Sequence, residues 1–264
     1  MSGLSIRNLT MSIGSGERAK HILRGIDLEV PAGRITGLAG ESGSGKTMTG
    51  LAALGLLPAG SQTGGTIEFE GRNLLELRGR ALNELRGSRV AMVFQDPTAS
   101  LHPMLTIEGQ LTDHLRAHRK ISKKEAIARA IDTLELVKVP DPAGALKKYP
   151  HQFSGGQLQR IAIAMAIICG PSVLVADEPT TALDVTVQAG ILRLLRTLCD
   201  ELDLAVLLVT HDLGVMSALA DTIAVMRNGE IVEHGDRFQI ITDPQNEYTR
   251  ALIDALPSTD RDAS

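Results

Sequence analysis

Aromatic residues are scarce in this chain: it has no tryptophan, two tyrosines and four phenylalanines, 2% of 264 residues. Its core must therefore come from Leu, Ile, Val, Ala and Met, and a binder that stacks single-stranded bases on many rings is excluded. Cysteine is scarce too. Cys169 and Cys199 stand far apart and outside any CxxC, so they make no metal framework, and two thiols in a reducing cytosol are expected. Neither sign of charge dominates: 27 basic and 31 acidic residues leave a net charge of −4, which is no nucleic-acid footprint. The longest apolar runs, such as 161–169 and 204–209, fall short of the ~18 residues a membrane span needs. Met1–Thr10 lacks the basic start and apolar block of a signal peptide, so a soluble cytoplasmic protein is expected. What is present is ordinary globular material, 43% apolar and 22% charged, and at about 150 residues per domain it makes one large domain or two small ones.

The hydrophobic period changes along the chain. Residues 4–9 and 22–30 alternate as strands, and 34–39 is a short apolar strand followed at once by a Gly-rich loop and a helical run over 48–57. Residues 66–70 read as a further strand before Gly71. From Asp96 to about Cys169 the period is helical; Ile127, Ala130, Ile131, Leu134 and Val137, for example, share one face. Beyond Pro171 buried strands return at 173–176, 204–209, 222–226 and 230–232, with a helix over 187–202. Strands alternating with helices indicate an α/β domain with a largely parallel central sheet, interrupted by a helical insert. The division expected is a core of 1–95 and 170–235, a helical subdomain of 96–169 and a tail of 236–264 that frays after Pro257.

The chemistry begins with Gly40-Glu41-Ser42-Gly43-Ser44-Gly45-Lys46-Thr47, which matches GxxxxGK[ST] at every fixed position. Its glycines let backbone N–H groups curl around phosphate oxygens at the positive end of the following helix. Lys46 is placed to reach the β/γ-phosphates and Thr47 to bind Mg²⁺. The acidic element such a loop needs ends the apolar strand 173–176: Asp177 suits Mg²⁺, and Glu178 suits polarisation of an attacking water. Gln95 and His211 also follow apolar strands, so a parallel sheet gathers them on the same edge. There the glutamine can touch metal and water, and the histidine the γ-phosphate. A second anion cradle, Ser154-Gly155-Gly156-Gln157, opens the helical run 158–169. One nucleotide does not need two cradles from one face. The second is therefore expected to serve ATP on another subunit, with nucleotide sandwiched between chains.

These motifs, in this order, resemble the ATP-binding subunit of ABC transporters over nearly the whole chain. They comprise the phosphate loop 40–47, Gln95, the signature 153–157, the strand with its two carboxylates (173–178), Ala182-Leu183-Asp184 and His211. The runs 149–157, 176–188, 210–215 and 246–257 are similar to the peptide/nickel importer branch, and of its paired ATPases to the D-type subunit. The resemblance implies an α/β ATPase domain with a mainly parallel central sheet, an antiparallel N-terminal β region and an inserted helical subdomain. It implies ATP held by Gly40–Thr47 and Met48, with Ser154, Gly155, Gly156, Gln157 and Asp184 completing the partner's site. It also implies Mg²⁺ on Thr47, Gln95 and Asp177, and catalysis by Glu178, His211 and Gln95. The implied partners are two transmembrane permease subunits, docking on the insert after Gln95, and a second ATPase, F-type or identical. A solute-binding protein outside the membrane is an indirect partner. The implied location is the cytoplasmic face of the membrane.

Ile13 stands where relatives place an adenine-stacking ring, so stacking is expected to be weak, or His21 substitutes. Many peptide-importer subunits continue into a longer C-terminal region, some with an iron–sulfur cluster, whereas this chain ends soon after Pro257. Nickel or metallophore import is the near alternative to peptides, an exporter or lipoprotein-release ATPase a further one, and a soluble ABC ATPase the alternative of different class. His114 and His118, four apart on a helix, and the cluster Arg116, Arg119, Lys120, Lys123 and Lys124 are read as a solvated face.

Overall fold

The computed structural model describes residues 3–255 except 15, 17, 18 and 182. Ala182, and residues 256–264, which include the segment 257–264 expected to fray, therefore lie outside the described residues. The strands are β1 (Leu4–Ile13), β2 (Lys20–Val30), β3 (Ile35–Ala39), β4 (Ser61–Phe69), β5 (Arg72–Asn73), β6 (Val90–Val93), β7 (Val173–Asp177), β8 (Ala205–Val209), β9 (Thr222–Arg227) and β10 (Glu230–Asp236). The helices are α1 (Lys46–Ala53), α2 (Gly79–Leu85), α3 (Pro97–Ser100), α4 (Ile107–His118), α5 (Lys123–Leu136), α6 (Pro142–Ala145), α7 (Gly155–Ile167), α8 (Val185–Leu202), α9 (Leu213–Leu219), α10 (Arg237–Thr242) and α11 (Glu247–Asp254).

Two sheets result. β2-β1-β4-β5 is antiparallel, and β10-β9-β3-β8-β7-β6 is parallel except for its β10 edge. Every residue of β3, β6, β7 and β8 is buried, which explains their mostly apolar runs: a parallel sheet is covered on both faces. β1 and β2 instead alternate, one face toward the core and one toward solvent. The α/β architecture read from the sequence, with its antiparallel N-terminal region and helical insert, is the one observed.

The helical block does not form a separate island. β6 and β7 are hydrogen-bonded neighbours, Val90 opposite Val173, so α3–α7 leave and re-enter the sheet at adjacent strands. Leu111, Ala130 and Leu134 share one continuous core with Val93, Leu174 and Ala176 through Ile161 and Ile163 of α7. Local chemistry sets the helix starts. Ser122 and Glu125 form a capping box at α5, and Thr106 caps α4.

Four expectations need correction. The helix expected over 48–57 ends at Ala53, because Gly55 takes φ +62 with Leu82 close by, and β4 begins at Ser61, five residues before the expected strand. The segment expected as a tail from 236 is instead α10 and α11 over its described part. His114 is half-buried rather than on a solvated face: its ring lies against Gly87 and edge-on to His118, 5.2 Å between centroids. Arg119, of the basic cluster, donates to Cys169 O at 2.6 Å and so ties α4 to the end of α7.

Candidate nucleotide site

The loop 40–45 joins β3 to α1, and its glycines have separate reasons. Gly40 runs so close to the carbonyl of Met226 that a Cβ would collide with it, and Gly45 (φ +111) would set a Cβ 2.8 Å from Leu23 Cδ2. No residue with a side chain fits either position. The loop is also held from outside. Gly229 N–H donates to Ser44 O (2.9 Å), and Arg24 N–H donates to Gly229 O (2.8 Å), so the β9–β10 turn fastens β2 to the loop.

Inside it, Lys46 Nζ donates to Gly40 O at 2.7 Å and Glu41 O at 2.8 Å. Burial depresses the lysine's pKa, against the opposing charges of Glu178, Asp177 and Glu41. A buried ammonium on two carbonyls of its own loop is ready to exchange them for an anion. Ser44 Oγ is buried and has no hydrogen-bond partner among the described residues. An orphaned hydroxyl inside a ring of backbone amides fits a phosphate oxygen.

The acidic residues close the loop's far side. Thr47 Oγ1 donates to Asp177 Oδ1 at 3.1 Å. Burial raises the Asp177 carboxyl, with Thr47 and Lys46 pulling it back and Glu178 adding to the rise. A hydroxyl and a buried carboxylate side by side are hard oxygen donors of the kind Mg²⁺ takes. Glu178 sits in the left-handed region (φ +49), a conformation of the sort stored at functional sites. Its Oε1 lies 2.7 Å from His211 Nδ1 and accepts from His211 N–H (3.2 Å); Oε2 accepts from Thr181 Oγ1 (2.9 Å) and Thr210 Oγ1 (3.4 Å). The carboxylate is thus aimed by four groups, with the imidazole Nδ1–H as the donor.

Gly40, Glu41, Ser42, Gly43, Gly45, Lys46, Thr47, Met48, Gln95, Glu178 and His211 line one cavity of about 740 Å³. The other signature residues do not reach it. Ser154 accepts from Gln157 N–H (3.4 Å) and Gln157 Oε1 accepts from Ser154 N–H (3.1 Å), a capping box on α7. Gly155 is exposed, with only Leu183 near among the described residues, at 3.7 Å from an added Cβ, whereas Gly156 would meet Val187 Cγ1 at 2.5 Å. Gly156 is thus explained by close packing of α7 on α8, and Gly155 is not. Asp184 caps α8 through Val187 N–H (2.9 Å).

Sequence reasoning missed three cavity residues, Lys20, Ile22 and Leu252, and the loop-bound Tyr248, whose Oη accepts from Glu41 N–H. It also misjudged His21. Ile13 pairs with Lys20, so Ile13, Lys20 and Ile22 face the cavity. His21 points the opposite way, into a separate concavity with Thr10 and Gln62, and cannot replace an adenine-stacking ring. Strand alternation would have shown this once the register was known.

A phosphate loop, Glu178, a glutamine and a histidine thus converge on one cavity, with Asp177 buried beside it against Thr47, and residues 23–181 match the family model described as ABC transporter. The chain belongs to the ABC transporter family. Among curated relatives of this ABC chain, the dipeptide transport ATP-binding protein DppD of Bacillus subtilis is 44% identical over 259 residues, covering 97% of this chain and 77% of the relative. The oligopeptide transport ATP-binding protein OppD of Escherichia coli is 40% identical over 257 residues, covering 97% and 76%. A solved dimeric ATP-binding cassette in a post-hydrolysis state bound to ADP and Pi superposes with TM-score 0.78 at 27% identity, over 89% of this chain and 98% of that one. Like these cassettes, this ABC chain is an ATPase. Among its described residues no helix is long and apolar enough to cross a membrane.

Proposed function

We propose that this chain is the ATP-hydrolysing subunit of an ABC importer for peptides, working at the cytoplasmic face of a membrane through permease subunits. The observation that carries the coupling is the pair Phe94–Gln95. Gln95 lines the nucleotide cavity. Phe94, 41% exposed, lines an apolar groove of about 220 Å³ between the helical block and the sheet, with Leu54, Leu56, Met165 and Ala166. Adjacent residues therefore face nucleotide on one side and a surface suited to a permease segment on the other. The peptide relatives support the solute class.

Within the cavity, Lys46 and the loop amides hold the β- and γ-phosphates, and Ser44 supplies its free hydroxyl. Thr47, Asp177 and Gln95 would hold Mg²⁺. When bound, that ion neutralises charge developing between the β- and γ-phosphates. Glu178 takes the proton of the water attacking the γ-phosphate, and His211 keeps the carboxylate aimed at that water. The exposed Ser154–Gly155 corner closes over the nucleotide of a second ATPase subunit, and the signature motif then acts in trans. Dimeric solved relatives support that arrangement.

Co-purification with the membrane subunits, followed by peptide-stimulated ATP hydrolysis in proteoliposomes, tests the reading. Phe94→Ala should keep basal hydrolysis and lose stimulation. Equal stimulation in this variant would reject the coupling role, and stimulation by no peptide would reject the solute class.

A further inference from the structure

The motif at 246–252 takes no part in the mechanism above, yet the fold brings it to the nucleotide. α11 is fastened at its start by several independent bonds. Glu233 accepts from Gln245 N–H (2.7 Å) and Asn246 N–H (3.2 Å), Asn246 Nδ2 donates to Val232 O (3.3 Å), and the Asn246 side chain caps the helix through Tyr248 N–H (2.9 Å). The Arg227 guanidinium lies 4.7 Å over the Tyr248 ring. Tyr248 is buried, and its Oη accepts from Glu41 N–H at 3.2 Å, inside the phosphate loop. Leu252, four residues on, shares that helix face and lines the nucleotide cavity with Ile13 and Ile22.

The cavity thus has two chemically different ends. Gln95, Glu178 and His211 are polar and stand at the carboxyl ends of the parallel strands; Ile13, Ile22 and Leu252 are aliphatic, with Lys20 beside them. The phosphate loop lies between. A nucleoside triphosphate with its γ-phosphate at the polar end must direct its base toward the aliphatic end.

We propose that Leu252 of the C-terminal helix is a base-contact residue, forming with Ile13 and Ile22 an aliphatic slot for the purine. The inference rests on the nucleotide reading of the cavity and names which residues hold the base. A flat ring between aliphatic side chains is held by burial and dispersion, so this slot replaces a stacking ring in a chain almost without aromatics. Tyr248 on the same helix couples the slot to the loop, so base and phosphate binding share one support.

Calorimetric titration with ATP and with tripolyphosphate, which has the phosphates and no base, tests the assignment on the full chain. Leu252→Ala should weaken ATP about five- to tenfold, the loss expected for uncovering part of one apolar side chain. Leu252→Met should stay within about twofold because volume and polarity are kept. Tripolyphosphate affinity should be the same in all three proteins, which also reports an intact loop. Unchanged ATP affinity in Leu252→Ala, or tripolyphosphate and ATP weakening in step, would overturn the slot. Failure of the unsubstituted chain to bind either ligand would instead overturn the nucleotide reading of the cavity.

Discussion

Glu178→Gln separates hydrolysis from binding, and its local geometry shows why the substitution is tolerated. The carboxylate accepts from His211 through Oε1 and from two threonine hydroxyls through Oε2. An amide placed with its oxygen at Oε1 keeps both histidine contacts. Its NH₂ then faces Thr181 and Thr210, whose hydroxyls can rotate to accept. At most one hydrogen bond of ordinary strength is weakened, about 1 kcal/mol, so the unfolding midpoint should move by no more than about 2–4 °C. The chemical step changes far more, because an amide takes no proton from water. Loss of a general base costs about 10²–10⁴-fold, or about 3–5 kcal/mol on the barrier. Phosphate release under saturating Mg-ATP measures turnover, and equilibrium dialysis of ATP measures binding. Expected are near-normal binding and a turnover loss in that range. Turnover within about threefold of the unsubstituted chain, at unchanged binding, would refute Glu178 as the base.

Three further outcomes follow from particular contacts. A Cβ at 155 makes only ordinary contact, 3.7 Å from Leu183 Cδ2, among the described residues, so Gly155→Asp should fold and bind ATP yet stop ATP-driven association. Mixed with Lys46→Ala in a demonstrated mixed dimer, it should recover some hydrolysis; normal hydrolysis by the Gly155→Asp chain as a monomer would exclude action in trans. Because burial raises Asp177 above its ordinary 3.8, the metal-free fold binds this proton more readily than the unfolded chain does. Its contribution to stability therefore declines as pH rises from 3.8 toward the raised value. Asp177→Asn should remove that decline in melting curves over acidic pH and also weaken Mg²⁺ binding at neutral pH; identical melting profiles would reject the shift. Cys169 and Cys199 are buried, their thiols pushed up to about 11, so a disulfide-exchange reagent near neutral pH should label neither in the native chain and both after denaturation. Rapid native labelling would contradict their burial.

The sequence alone determined whatever is written in consecutive residues. Gly40–Thr47 must make a loop that curls around an anion, since glycine spacing and the following helix are local properties. The unbroken apolar runs of β7 and β8 announced a sheet covered on both faces, and a carboxylate pair directly after such a run lies at the strand's carboxyl end. Tertiary structure decided what depends on register and on contacts distant along the chain. Whether Lys20 and Ile22 or His21 faces the cavity turns on the pairing of Ile13 with Lys20, because a shift of one residue exchanges the two faces of a strand. Gly155 and Gly156 read alike in the motif, and only the packing of α7 on α8 separates an open position from one closed by Val187. Tyr248 reaches Glu41 across 207 residues, and Leu252 follows it to the cavity wall because both lie on one face of α11. No local period marks such a contact: it exists because β9 and β10 carry the end of the chain back to the loop where the nucleotide site began.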